Sequence, residues 1–499
     1  MTVSLKVNLL AGYLGQIYVA VIGILVLPLL TAKLGREAFG LIGFFTSLQA
    51  LFLLLDMGLT QTISREMTRY IAGELSPKVF LARYRAVLLA FIAIAISGGA
   101  LLYMAAAYIA MTWLDIQQTD VQHVVLVVQI LALVVASRWL SGIFRGVISG
   151  AERLVWLNAF NSLVATCRFP GVFVVFALCG YDVLYFFSFQ LVMSVLELVV
   201  LYLKARTLLP ADHDSVGWSL KPLADIGRFA FAIAGTSIIW VVVTQFDKML
   251  VSGLVSLADF GVFTLAVTVA SGLLALTGPV GAALSPRLTS LQAAGQHGSV
   301  LDTYRKASQL VAVLSGSISA TIWLSAEALL YGWSGDRQLA ADSANVLRWY
   351  TLGNFFLSLN VFPFYLQFAR GMTRYHVYGH LLLLVFMLPA MYGAVRLWGV
   401  AGAGWCWAGI HACYFFGWVG YSHWRLVPGF HWLWVSRDLL PILLVVAIPA
   451  VILTGVMTVP SSRWYSLLLA VVSGVVLLAL AVWRCRWMWQ FALQKFKRS

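Results

Sequence analysis

The chain has 499 residues, of which 61% are hydrophobic and only 10% charged. Soluble domains carry about 25% charged residues, so this composition excludes a water-soluble globule, a sizeable soluble catalytic domain and a nucleic-acid-binding module. The net charge of +14 therefore speaks for cytoplasmic loops and contact with membrane lipids, and no nucleic-acid partner is expected.

Hydrophobic runs separated by short polar breaks predict about 14 transmembrane helices. They fall at 9–30, 41–63, 86–110, 122–145, 155–178, 182–203, 229–252, 259–280, 307–330, 346–369, 377–398, 400–423, 439–458 and 465–483. The first run is too long for a signal-peptide core and lacks a cleavage site, so it reads as a retained helix. Basic residues crowd alternate loops: Arg65, Arg69, Lys78, Arg83 and Arg85, then Arg145 and Arg153, then Lys204, Arg206, Lys221 and Arg228. The pattern continues with Arg287, Arg305 and Lys306, and with Arg370 and Arg374. The loops between them are nearly bare: 111–121 and 253–258 hold no Lys or Arg, and 331–345 has Arg337 alone. The positive-inside rule places the N-terminus in the cytoplasm. An even helix count returns the C-terminus there, with Arg484, Arg486, Lys495, Lys497 and Arg498.

The chain repeats itself. Phe39-Gly40 recurs as Phe260-Gly261, and Gly150 with Arg153 recurs as Gly371 with Arg374, each 221 positions on. Tyr84-Arg85 returns as Tyr304-Arg305, and Trp113 with Asp115 as Trp333 with Asp336. An offset spanning six helices preserves orientation, so the halves read as parallel repeats. The expected fold is an all-α polytopic membrane protein: two parallel six-helix bundles, 1–220 and 221–437, around a central cavity. Residues 438–499 add two peripheral helices and a basic cytoplasmic tail. Without a G-x-x-x-x-G-K-[ST] segment the protein is not its own ATPase.

Polar residues recur inside the apolar spans, where a charge costs ~2.5–3.5 kcal/mol even on a lenient insertion scale. The second span places Thr46, Gln49, Asp56, Thr60 and Ser64 within an arc of about 80° on a continuous helix. The fourth aligns Arg138, Ser141 and Arg145; the fifth Asn158, Asn161 and Arg168; the sixth Gln190, Ser194 and Glu197. The seventh puts Thr236, Trp240, Thr244 and Asp247 on one face, with Lys248 at its margin. These stripes imply a polar cavity with an arginine excess. Plainer readings stand beside this one: Asp247 and Lys248 pair locally, Arg138 and Arg145 anchor a helix end, Arg168 pairs with Glu197 or Asp56, and Asp56 braces the helix ends around Gly58.

His376 and His380 have metal-pair spacing but no third ligand, and the five cysteines show no ligand-like pattern, so no metal, disulfide or cofactor is expected. Trp398, Trp405, Trp407, Trp418, Trp424, Trp432 and Trp434 read as an interfacial belt, with sugar stacking as the alternative.

The segment D-M-G-L-T-Q-T-I-S-R-E, Asp56 to Glu66, resembles the signature that ends the second helix of bacterial polysaccharide exporters. Phe246 to Phe263, F-D-K-M-L-V-S-G-L-V-S-L-A-D-F-G-V-F, is similar to their seventh-helix motif, and the loop Gly146 to Arg153 fits as well. With two repeats plus two helices, the whole chain resembles the O-antigen (Wzx-type) flippases of the multidrug/oligosaccharidyl-lipid/polysaccharide exporter superfamily. The resemblance implies a transporter rather than an enzyme. Its cargo would be an undecaprenyl-pyrophosphate-linked oligosaccharide, moved from the cytoplasmic to the periplasmic leaflet of the bacterial inner membrane by alternating access coupled to an ion gradient. It makes Arg168, Arg138, Asn161 and Arg145 the head-group candidates. Asp56, Glu197, Asp247 and Lys248 become ion-coupling or pairing groups, and Gln49, Thr60, Gln190 and Trp240 line the cavity. Other polysaccharide assembly proteins are implied partners. The rivals are a cation-coupled drug exporter of the same fold, which would favour an acidic cavity, and a membrane-embedded glycan polymerase or ligase, which would need a larger outer loop. A scaffold for the assembly machinery would not need the charge stripes.

Overall fold

Apolar runs with capped ends dictate long helices, and the computed structural model shows them. It describes residues 28–52, 58–210, 217–224, 241–372, 374–456 and 459–485, together with Asp56 and single positions 15, 18, 19, 22, 23, 25 and 26. Nine helical stretches among these residues are long and apolar enough to cross a membrane, and the chain is a multi-pass membrane protein. Among the described residues the only β pairing is an isolated parallel bridge between Asp115 and Ser256. The described chain divides into two compact units, Met1–Ala258 and Asp259–Ser499.

The first unit contains α1 (Arg36–Phe52), α2 (Leu59–Ile71), α3 (Pro77–Met104), α4 (Val121–Gly150), α5 (Leu154–Arg168), α6 (Val172–Cys179) and α7 (Val183–Arg206), followed by helical residues 241–252. The starts are chemically marked. Ser76 accepts from the Val79 N–H with Pro77 in the first turn, Asp120 accepts from the His123 N–H, and Asp182 from the Leu184 N–H. The core joins α2, α3, α4 and α7: Ile63 and Met67 meet Phe80, Val87 and Phe91, then Ile143, Val147 and Leu201. The rings of Phe91 and Trp139 stack at 4.3 Å, an arrangement worth about 0.5–1.5 kcal/mol beyond the area it buries.

At the start of α1, ahead of the predicted span, the buried Glu37 carboxylate gathers the loop after α3. It accepts from the N–H groups of Gln117 (2.8 Å), Gln118 (2.9 Å) and Thr119 (2.8 Å) and from the Thr119 hydroxyl (2.7 Å). Burial pushes its pKa up, but the four donors outweigh burial and leave it below the ordinary glutamate value. Just ahead of this loop, Trp113 at the end of a helical turn donates from Nε1 to Ser252 Oγ at 3.1 Å, and the Asp115 carbonyl accepts from the Leu257 N–H at 2.8 Å.

The second unit is built from α8 (Leu257–Ala293, whose first two residues belong to the first unit), α9 (His297–Ser334), α10 (Arg337–Asn360), α11 (Phe362–Ala369) and α12 (Arg374–Tyr414). It ends with α13 (Gly420–Leu426), α14 (Phe430–Trp434), α15 (Leu440–Thr454) and α16 (Arg463–Arg484). The last two helices pack on α9 through Val313, Ala320, Leu324, Ile442, Val446, Leu477 and Ala481. Asp438 ties this corner together. It accepts from Arg305 Nε (2.6 Å) and Nη2 (2.9 Å) and from Gln309 Nε2 (2.7 Å). Of the seven tryptophans expected as a belt, Trp418 is half-buried and donates to the Tyr375 carbonyl at 3.0 Å, and the other six separate into two groups. Trp398, Trp405, Trp424 and Trp432 are exposed, whereas Trp407 and Trp434 are buried and donate to Asn354 and Ser308.

Candidate functional site

Unpaired charge is penalised in hydrocarbon, so each arginine inside the apolar helices must find a partner. α4 carries Arg138 and Arg145 seven residues apart, and α7 carries Gln190 and Glu197 at the same spacing. The two helices run in the same direction, since the hairpin arm α5–α6 separates them. Their N-terminal ends meet where His123 Nε2 lies 2.8 Å from Asp182 Oδ1.

Glu197 is the hub. One carboxylate oxygen accepts from Arg145 Nη2, and the other accepts from Arg168 Nη2 at 2.7 Å. Arg145 also donates from Nη1 to Asn161 Oδ1 at 2.6 Å. Side-chain exposure is 7% for Glu197, 14% for Arg168 and 29% for Arg145, so the carboxylate is enclosed and Arg145 is its most open partner. Arg168 ends α5. Pro170 has no N–H to continue the ladder, and the chain resumes as α6 at Val172. Arg168 stands in the last turn of α5, where the helix dipole favours a cation.

Arg138 donates to Gln49 Oε1, and its guanidinium lies over the Phe45 ring at 5.4 Å. Phe45 meets Phe187 of α7 edge-on at 5.8 Å, one turn before Gln190. Gln190 is 2% exposed, and its Oε1 has no protein partner; neither does Nε of Arg138 or of Arg168. Two arginines, Arg145 and Arg168, share the one carboxylate of Glu197, and Arg138 adds a third cation seven residues before Arg145 on α4.

The other expected residues make hydrogen bonds of their own. Asp56 accepts from the Thr60 hydroxyl (2.6 Å) and N–H (3.2 Å), bracing the start of α2. Gly58, at φ 70°, breaks the second predicted span there, so the arc from Thr46 to Ser64 does not lie on one continuous helix. Lys248 donates to the Thr244 carbonyl and reaches Asp247 Oδ1 at 3.4 Å, a local arrangement within 241–252. Trp240 and Thr236 lie outside the described residues. His380 Nδ1 donates to the His376 carbonyl, and no cluster of three potential metal ligands occurs among the described residues. Two clefts of about 240 and 310 Å³ lie in the second unit, one lined by Trp323, Phe355 and Val446 and the other by Leu383, Phe386 and Tyr414; neither holds a charged group. The sequence reading missed Pro170, visible in mid-span, and the rings of Phe45 and Phe187, which nothing distinguishes among 30 phenylalanines.

Residues 5–292 match the family described as polysaccharide biosynthesis protein. The chain is 22% identical over 394 residues to a protein of Shigella flexneri named "Putative O-antigen transporter", covering 77% of this chain and 89% of that one. Among solved structures, it is similar to the lipid II flippase MurJ in an inward closed conformation. The TM-score is 0.73 at 14% identity, over 95% of this chain and 98% of that one. An inward-facing multidrug resistance MATE family transporter of the MOP superfamily gives a TM-score of 0.65 at 15% identity, over 82% and 94%. The fold is the one these structures share, and all three proteins are named as transporters or flippases rather than enzymes.

Proposed function

Because the chain belongs to the polysaccharide biosynthesis protein family, we propose that it flips an undecaprenyl-pyrophosphate-linked oligosaccharide from the cytoplasmic to the periplasmic leaflet of the inner membrane, by alternating access coupled to an ion gradient. The observation that carries this reading is the pairing of both Arg145 and Arg168 with the single carboxylate of Glu197 within apolar helices, with Arg138 two turns away on the same helix as Arg145. A diphosphate head group answers such an excess of cations, and guanidinium forks match its oxygens. Glu197 holds Arg145 and Arg168 in the resting protein, and the head group takes its place. Asp56, Asp247 and Lys248 are the candidates for ion coupling. The likeness to a multidrug transporter raises the reading of a drug exporter, but a net positive cluster repels the cationic cargo that such a site would take.

Arg168→Ala tests the proposal. Glu197 keeps Arg145, so the protein folds and inserts at its normal level. Export stops, and lipid-linked repeat units accumulate on the cytoplasmic leaflet. Arg168→Lys retains partial activity, because a point charge replaces a fork. Normal surface polysaccharide from the Ala variant at normal protein level would remove Arg168 from the mechanism.

A further inference from the structure

The arginine cluster has two levels, and their chemistry differs. Seven residues of helix separate Arg145 from Arg138 and Glu197 from Gln190, which sets the levels about 10 Å apart. The Arg145–Arg168–Glu197 level matches charge with charge. The other level joins the Arg138 guanidinium to the Gln49 carboxamide, with Gln190 seven residues before Glu197 on α7.

Gln190 is the informative residue. A buried acceptor without a partner costs about 1–3 kcal/mol, and leucine at this position would avoid that cost. A phosphate, which only accepts, cannot satisfy Gln190 Oε1. A hydroxyl can, because it donates to the amide oxygen while accepting from a guanidinium N–H such as the unpartnered Arg138 Nε. Amides near a cation therefore suit the hydroxyl or acetamido groups of a sugar better than they suit a second phosphate.

We propose that Arg138, Gln49 and Gln190 form a glycan subsite that receives the sugar nearest the diphosphate and selects among sugars through the two amides. The proposal rests on the flippase reading and assigns the Arg138 level to the sugar rather than to the head group. The spacing agrees: a diphosphate is too short to reach both levels, and a diphosphate carrying sugar is long enough.

The test uses the full-length purified protein and two probes, undecaprenyl diphosphate without sugar and the same lipid bearing the host strain's own repeat unit. Gln190→Leu should bind the sugar-free lipid within about twofold of wild type, bind the glycan-bearing lipid at least about tenfold more weakly, and lose export accordingly. Gln190→Asn should recover part of the glycan-dependent affinity, which a packing role does not predict. Arg168→Ala should lose both lipids. If Gln190→Leu binds both lipids and exports like wild type, Gln190 is core packing and the subsite is refuted. An equal loss for both lipids would place Gln190 in the head-group site and overturn the assignment. Normal binding of sugar-free lipid by Arg168→Ala would instead remove the head-group reading, and the subsite's premise with it.

Discussion

Glu197 shares its carboxylate between two guanidiniums in a largely dry setting, and the consequences of removing it differ from those of removing Arg168. Arg168→Ala leaves a carboxylate still paired with Arg145, whereas Glu197→Ala leaves two cations without a counterion. Breaking a buried ion pair from one side costs about 3–5 kcal/mol, so Glu197→Ala should lower the thermal midpoint of the detergent-solubilised protein. Adding Arg168→Ala should recover part of the loss, since Arg145 retains Asn161. An unchanged midpoint for Glu197→Ala would mean that the pair carries no structural weight. The charges themselves were legible in the sequence, because an ionised residue inside an apolar run is conspicuous by its cost. Their pairing was not. Arg168 had Glu197 and Asp56 as equally eligible partners, and Asp56 turned instead to Thr60 four residues on. Which helices meet depends on packing, and spacing along one helix is silent about it.

Between α2 and α4 the sequence G-V-I-S-G decides how closely two helices approach. A Cβ on Gly150 would stand 2.2 Å from the Ser64 carbonyl oxygen, and one on Gly146 would stand 2.7 Å from that of Thr60. Both obstacles are backbone, so neither can step aside as a side chain would. Small residues four apart allow this proximity, and the Thr68 hydroxyl uses it to reach the Gly150 carbonyl at 3.0 Å. Gly150→Val should therefore push α2 away and destabilise the first unit by about 1–3 kcal/mol or more, read as a lower thermal midpoint. A midpoint within error of wild type would show that α2 can shift freely. Helix spans were legible at this scale as apolar runs, but their interruptions were not. Gly58 and Pro170 break the second and fifth predicted spans, while Pro279 and Pro389 lie inside helices that continue. Neighbouring groups in a membrane protein can satisfy the backbone atoms that a proline frees, so residue type alone does not say where a helix ends. Gly399, at φ 58°, is the opposite case: it turns α12 between the two spans predicted at 377–398 and 400–423.

Across the whole chain, the Arg138–Arg145–Arg168–Glu197 cluster lies in the first of the two predicted repeats. Advancing Arg138, Arg145, Asn161 and Arg168 by the repeat offset of 221 leads to Leu359, Leu366, Leu382 and Pro389, and advancing Glu197 leads to Trp418. The predicted repeat does not duplicate the polar cluster, so the first half carries cargo recognition in the proposed mechanism. The predicted orientation would then fix the order of events. If the N-terminus is cytoplasmic, as the positive-inside rule predicts, α4 and α7 descend toward the cytoplasmic face, the Arg145–Arg168 level lies nearer that face, and the Arg138–Gln190 level lies outward of it. A glycan entering from the cytoplasm would reach the outward level while its diphosphate stops at the inner one and its lipid tail stays in the bilayer. Reporters inserted in loop 111–121 and after Arg153, and fused after Lys497, test this arrangement. The first should read periplasmic and the other two cytoplasmic. Reversed signals from the first two would invert the levels, placing the amides on the cytoplasmic side of the head-group arginines, and a chain so oriented could not receive a cytoplasmic glycan in the order its side chains require.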